Sequence, residues 1–465
     1  MGDAEILRRP AIEVAAGVRA GEYTALELTE AALRAIEQLD PQINAFIHLD
    51  AERALAQAAA IAPGDERPFA GVPTALKDIG VMDAGQPFTC GSRLFGDFVA
   101  PYDSAVTRRI KESGMVILGR TNTPEFGILP VTEPARYGAT SNPLDPARTP
   151  GGSSGGAAAA VAAGMLPLAH GSDGAGSLRI PAACCGLVGL KPARNRVTSA
   201  PSLAENSTTT QGFVTRSVAD AAATLDVLSG YETGDANWAP PPSEPFAVSA
   251  GREPGRLHIG FTTRPTVDLP VDPIHVDAVR RAAELLESAG HDLEETDPGW
   301  TDEAMLDAFI ANANVNVAGA VNAAARVSGL DPSLEHIEPL TYEFWLRGRE
   351  VLAVDHATIE NALNAYCRGV IERLSAYDAV LTPVLNMRPV ETGWIDPELG
   401  MEAFDRAIAF TSFTAIVNQT GLPAISLPFG QADDGLPLAV QLIGRPAGEA
   451  ALLSLAAQFE AAAAA

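Results

Sequence analysis

The chain has 465 residues, 47% hydrophobic and 19% charged, the composition of a folded globular protein and not of a disordered one. Its 32 basic residues face 58 acidic ones, and the resulting net charge of −26 disfavours a partner with a phosphate backbone. No uninterrupted apolar run reaches the ~20 residues of a membrane span, and MGDAEILRRPAIEV has charges where a signal peptide carries its apolar core.

In chain order, Thr24 and Glu27 form a capping-box pair ahead of LELTEAALRAIEQL, which predicts a helix. Helices are expected over 50–61 and 104–113, the latter ended by Gly114, and a buried strand over 115–119. MLPLAHG reads as a strand. VADAAATLDVLSG, after Ser217, reads as a helix closed by Gly230. Further on come a strand at 256–261, a helix at 273–289, and strands at 378–382, 424–428 and 438–444, the last three alternating with helices near 402–418 and 447–460. This alternation implies an α/β architecture. The Pro/Gly/Ser-rich stretch 232–255 is a candidate linker, but the same pattern resumes beyond it, so one large domain with a surface crossing is expected.

Two features carry chemistry. Lysine occurs only as Lys77, Lys111 and Lys191, against 29 arginines. A lysine can surrender its proton inside a protein and an arginine effectively cannot. Lys111 lies on an amphipathic helical pattern and reads as a solvated charge, whereas Lys77 sits in the apolar GVPTALKDIG. The second feature is the run from 149 to 192, which enters an Ala-rich helix and then a strand, unlike a flexible linker. It contains neither a phosphate-binding G-x-x-x-x-G-K-[ST] nor a dinucleotide-binding G-x-G-x-x-G. In GSDGAGS (171–177) a serine at a strand-to-helix junction can project its hydroxyl beside free backbone donors, as acyl transfer requires. Its base is either His170, seven residues upstream, or Lys77; no G-x-S-x-G elbow supports a conventional triad, which favours the lysine. No histidine spacing suggests a metal. Cysteines are few (Cys90, Cys184, Cys185, Cys367), as in a reduced, cytoplasmic protein, and the adjacent pair reads as core packing.

GVPTALKD, PGGSSGG (150–156), GSDGAGSLRIPA (171–182) and CGLVGLKP (185–192), in this order, resemble the amidase signature family of serine hydrolases. GRTNTPEFG (119–127), YDAVLTPV (377–384), NQTGLPAISLP (418–428) and DGLPLAVQLIGRP (434–446) extend the likeness. The resemblance implies a single α/β domain over 1–465, with a mixed central sheet flanked by helices on both faces. Within it, 71–198 would be the signature core, 231–375 a variable substrate-side region, and 376–460 a return to the same sheet. It further implies Ser177 as nucleophile, Ser153 as bridging serine after a cis peptide from Gly152, and Lys77 as base. Backbone amides of Gly174, Ala175, Gly176 and Ser177 would form the oxyanion hole, with Ala175 where the family often has glycine. Ser154 is open between a supporting hydroxyl and a helix N-cap. Asp173 and Arg179 read as a pair holding the loop, and Gly127 as a main-chain contact in the substrate pocket.

The implied activity is hydrolysis of amide carbon–nitrogen bonds without metal or organic cofactor, and the same machinery can open esters and carbamates. The motif style is nearer the nylon-oligomer and urethane-cleaving branch than the amidotransferase subunits; the alternative is a glutamine-hydrolysing subunit of a tRNA-dependent amidotransferase. A small-molecule substrate, no nucleic-acid or membrane partner, and a monomer or homodimer are expected. Substrate choice should lie with 125–140, 300–350 and 386–404. Phe126 and Ile128 suggest acyl or aryl groups, and Phe344, Trp345 and Trp394 are open between pocket wall and ordinary core.

Overall fold

In the computed structural model, residues 3–202 and 208–464 are described. Long periodic segments form the expected helices. Thr24 Oγ1 accepts from Glu27 N at 3.1 Å and Glu27 Oε2 accepts from Thr24 N at 2.7 Å, opening the helix Ala25–Ile43. Asp50, Ser104 and Ser217 cap Ala51–Ala59, Ala105–Glu112 and Val218–Leu228, each side chain accepting from the backbone N–H three residues on. The helix expected near 402–418 is instead two, Met401–Phe410 and Ala415–Thr420. Between them Asn386 Oδ1 accepts from both the backbone N–H and the hydroxyl of Ser412, at 2.8 and 2.9 Å, giving the chain a local alternative to the helical ladder.

Eleven strands are described: β1 (Phe46–Leu49), β2 (Pro73–Lys77), β3 (Val116–Thr121), β4 (Ala169–Asp173), β5 (Val188–Lys191), β6 (Thr210–Thr215), β7 (His258–Phe261), β8 (Asp292–Glu295), β9 (Ala379–Pro383), β10 (Ala424–Gln431) and β11 (Pro437–Gly444). They form a three-stranded sheet, β1-β3-β2, and an eight-stranded mixed sheet, β4-β6-β5-β10-β11-β9-β7-β8. The eight-stranded sheet is antiparallel from β4 to β9 and parallel from β9 to β8. The two sheets meet where β2 runs beside β4. There Thr74 Oγ1 donates to Leu168 O and Lys77 N–H donates to His170 Nδ1, both at 3.3 Å.

Successive strand residues point to opposite faces, and this alternation divides the core. Ala75, Leu118, Val214 and Ala439 join a cluster under the helices Ala25–Ile43, Gly155–Ala163 and Met401–Phe410. Their neighbours Leu76, Ile117, Phe213 and Val440 join a second cluster under Ala11–Ala20, Val218–Leu228, Pro273–Ser288 and Glu449–Ala463. Helices thus cover both faces of one domain. The stretch 232–255 is no boundary: its helix Phe246–Ala250 buries Phe246, and Phe246 N–H donates to Asp226 Oδ1 at 2.7 Å. Beyond it, the region read as variable contributes three helices that were not expected, Glu303–Ser328, Pro339–Glu350 and Ala353–Leu374. Glu303–Ser328 is long and apolar enough by composition to cross a membrane, although its apolar residues form no uninterrupted run. It packs against the other two helices.

Candidate active site

The seam between the sheets assembles the site. β2 carries Lys77 at its C-terminal end and β4 delivers the chain into the 174–178 loop. The 150–154 turn, entering the helix Gly155–Ala163, lies across both. Lys77 is fully buried; its Nζ donates to Ser153 Oγ at 2.8 Å and to Ser172 Oγ at 3.0 Å. Ser153 Oγ lies 2.9 Å from Ser177 Oγ. The peptide bond from Gly152 to Ser153 is cis. Burial pulls the Lys77 ammonium down from its ordinary value to about 7, against the attraction of Asp173.

His170 is also buried, yet its ring accepts from the Lys77 backbone and packs edge-on to Phe213. Burial, with Lys77 and Arg120 nearby, pushes it down to about 3. It therefore supports β2 and is not hydrogen-bonded to Ser177. Lys111 departs from its expected role as a solvated charge, because it is paired with Asp83 and Asp103 at 2.8 and 2.7 Å.

Asp173 organises the loop. Its carboxylate accepts from Gly176 N at 2.7 Å, Leu178 N at 3.2 Å and two Arg179 nitrogens at 2.9 Å. Burial alone would raise this carboxyl. The charge and hydrogen bonds of Arg179, with Lys191 and Asn418, outweigh that and hold it well below the usual range. Arg179 reaches on to Gln441 Oε1 at 2.6 Å and Asn418 Oδ1 at 2.5 Å. One expected oxyanion donor is thereby corrected: the Gly176 N–H is already bound by the Asp173 carboxylate. Among the described residues, the amides of Gly174, Ala175 and Ser177 have no acceptor. Ser154 does not cap its helix; its hydroxyl bridges to the Ser172 backbone, donating to O at 3.1 Å and accepting from N at 3.3 Å.

Ser172, Thr414, Asn418 and Gln441 are absent from the sequence-based set. Thr414 Oγ1 donates to Ala175 O at 2.6 Å. Gln441 was detectable in principle, as a polar residue in the apolar run LAVQLIG. Thr414 gives no such signal, because the helix interruption that positions it depends on distant Asn386.

Ser153 and Ser177 open into a cavity of about 280 Å³. Phe126, Gly127 and Ile128 line it, as do Phe309, Phe344 and Phe404, and no charged side chain does so among the described residues. Of the three open aromatics only Phe344 reaches this wall. Trp345 stacks with Tyr342 and Arg349, and Trp394 lies against Arg406 at a separate cavity.

A sequence profile of the family described as Amidase matches residues 27–453. The chain is similar to the 6-aminohexanoate-cyclic-dimer hydrolase of Paenarthrobacter ureafaciens, 37% identical over 460 residues that cover 95% of this chain and 92% of that protein. A solved structure of 6-aminohexanoate cyclic dimer hydrolase complexed with substrate matches at a TM-score of 0.93 and 35% identity, covering 98% of this chain and 97% of that one. A bacterial aryl acylamidase of the amidase signature family matches at 0.87 and 26%, covering 98% and 97%. A glutamyl-tRNA(Gln) amidotransferase subunit from Thermotoga maritima is structurally more distant, at 0.74 and 28%, covering 97% and 94%. Family profile, relatives and fold agree, and the chain belongs to the amidase signature family of hydrolases, which act on amide carbon–nitrogen bonds.

Proposed function

We propose that this chain hydrolyses uncharged, largely apolar amides through an acyl-enzyme on Ser177. The neutral Lys77 amine draws the proton of Ser153, which draws that of Ser177 as Ser177 Oγ bonds to the substrate carbonyl carbon; hydroxyl rotors permit that donor direction. The amides of Gly174, Ala175 and Ser177 stabilise the tetrahedral oxyanion, by ~3–4 kcal/mol per donor. Collapse breaks the carbon–nitrogen bond, and the relayed proton passes from Ser153 to the departing nitrogen. Water then adds to the ester carbonyl, giving its proton to the same relay. The Ser177 oxygen is expelled and reprotonated, and the carboxylic acid leaves. Ser154 and Ser172 hold the relay, and Asp173 with Arg179 holds the loop. Esters and carbamates present the same carbonyl geometry and fall within this reading.

The observation that carries it is the unbroken run from Lys77 Nζ through Ser153 Oγ to Ser177 Oγ, at 2.8 and 2.9 Å. The cavity's lining, uncharged among the described residues, supports the substrate class, since free glutamine would bury an ammonium and a carboxylate without partners there. We read 231–375 as the substrate-side region, because Phe309, Asn312, Asn316 and Phe344 come from it. A serine-reactive fluorophosphonate, followed by intact mass, tests the mechanism. Wild type should gain one adduct and Ser177→Ala none, with Ser153→Ala and Lys77→Ala labelled slowly. An adduct that survives Ser177→Ala would overturn it.

A further inference from the structure

A second cavity of about 80 Å³ adjoins the catalytic one, against the ~10–15 Å³ that a single water requires. Phe309, Ile408, Thr411, Ala415 and Gln419 line both, and each is only partly buried, so a wall of side chains with free space on either side separates them. Beyond that wall the lining is largely apolar, with Val267, Met305, Leu306, Leu363 and Ile416; the hydroxyls of Thr266, Ser412 and Tyr366 are bound to Ser412 O, Asn386 Oδ1 and Trp300 O. Among the described residues the one charged group in the lining is Asp302, exposed, its Oδ1 engaged by the N–H groups of Ala304 and Met305.

The relay orients a substrate relative to this branch. Ser153 delivers the proton to the departing nitrogen, so the amine must lie on the Ser153 side. That side is walled by Gly127 and Ile79: a Cβ on Gly127 would stand 3.2 Å from both Ser153 Oγ and Ile79 Cδ1. The branch opens beside Thr414, which holds Ala175 O, since the next residue, Ala415, lines both cavities, whereas Ile79, Gly127 and Ser153 line only the catalytic one. Resting on the mechanism above, we propose that the side cavity is an acyl subsite that receives an unbranched, uncharged acyl chain passing between Phe309 and Ile408. Short acyl groups leave it empty. Chains ending in a carboxylate are disfavoured by Asp302 at its far end.

The test is hydrolysis of the p-nitroanilides of acetic, hexanoic and octanoic acids. For wild type, kcat/KM should rise at least tenfold from acetyl to octanoyl. Met305→Trp and Leu306→Trp, whose side chains line only the side cavity, should lower the octanoyl-to-acetyl ratio at least fivefold. Leu306→Ala should shift the preference to longer chains. Because the readout is a ratio within one preparation, loss of folded protein cancels. A ratio unmoved by both tryptophans overturns the subsite, as does a length preference that appears only when the chain is placed on the amine, in N-octylacetamide against N-methylacetamide. Turnover with no chain-length preference overturns the subsite alone. No anilide turnover together with an unlabelled Ser177 overturns the mechanism and the subsite with it.

Discussion

Lys77 shows how one side chain can be unfavourable for stability and yet, in the proposed relay, necessary for chemistry. Burial lowers its pKa to about 7, whereas the unfolded chain holds that proton up to the ordinary value near 10.4. Between those limits the unfolded state binds more protons, so stability rises with pH through this window. The destabilisation is full below about pH 7, on the order of 4 kcal/mol, and disappears as pH passes the unfolded value. Lys77→Met should therefore melt above wild type at pH 7, with the difference shrinking towards pH 10. Activity follows the opposite requirement, because only the neutral amine is a base. We expect kcat/KM to reach a plateau above about pH 7 and to fall tenfold per unit below it. A profile flat down to pH 5 would exclude Lys77 as the base. Lys77→Ala should lower kcat by ~10²–10⁴-fold.

The 174–178 loop owes its shape to clamps at both ends of one peptide unit. Ala175 O accepts from Thr414 and the Gly176 N–H is taken by Asp173, so the Ala175–Gly176 peptide plane cannot rotate. Gly176 is obligatory, with φ +131° and a space in which a Cβ would lie 2.3 Å from Thr414 Oγ1. Ala175 is outside the left-handed region, which is why alanine is tolerated where the family often has glycine. Thr414 is a positioning residue on this account. Thr414→Val should lower kcat about tenfold with KM little changed, and Thr414→Ser should restore it, as steady-state kinetics on an anilide would show. Equal losses in both variants, or a change confined to KM, would assign Thr414 to packing alone.

At the scale of the whole molecule, residues far apart in sequence close one sheet. β10 and β11, from the C-terminal quarter, occupy its middle, between β5 of the signature region and β9. Gln441 on β11 and Asn418 just before β10 complete the network that holds Arg179. A fragment of residues 1–376 leaves the β10-facing edge of β5 and the β9-facing edge of β7 unpaired. It should be insoluble or lack cooperative unfolding, and co-expression with 377–465 should restore Ser177 labelling. A soluble, cooperatively folding fragment would show that the two parts are separable.

Much of this was readable from residue order. Apolar periodicity and the Thr24–Glu27 pair located helices such as Ala25–Ile43 and Pro273–Ser288, since those signals are local, but not the two longest, Glu303–Ser328 and Ala353–Leu374. Lys77 and a serine of GSDGAGS stood out because a lysine in an apolar run is unusual in this arginine-rich chain and that serine falls at a strand-to-helix junction; Ser153, and Ser177 as the nucleophile, came from the family resemblance. The residues that tie them together could not be singled out. The interruption at 411–414 requires Asn386, 26 residues from Ser412. The Gly176 amide is lost to the oxyanion only once Asp173 turns back on its own loop. His170 and Lys77 are 93 residues apart and touch because two sheets meet edge to edge. Local pattern decides which segments become helix or strand, and chemistry decides which side chains can react. Which hydrogen-bond donors stay free, and which walls enclose the substrate, depends on long-range packing that no local pattern encodes.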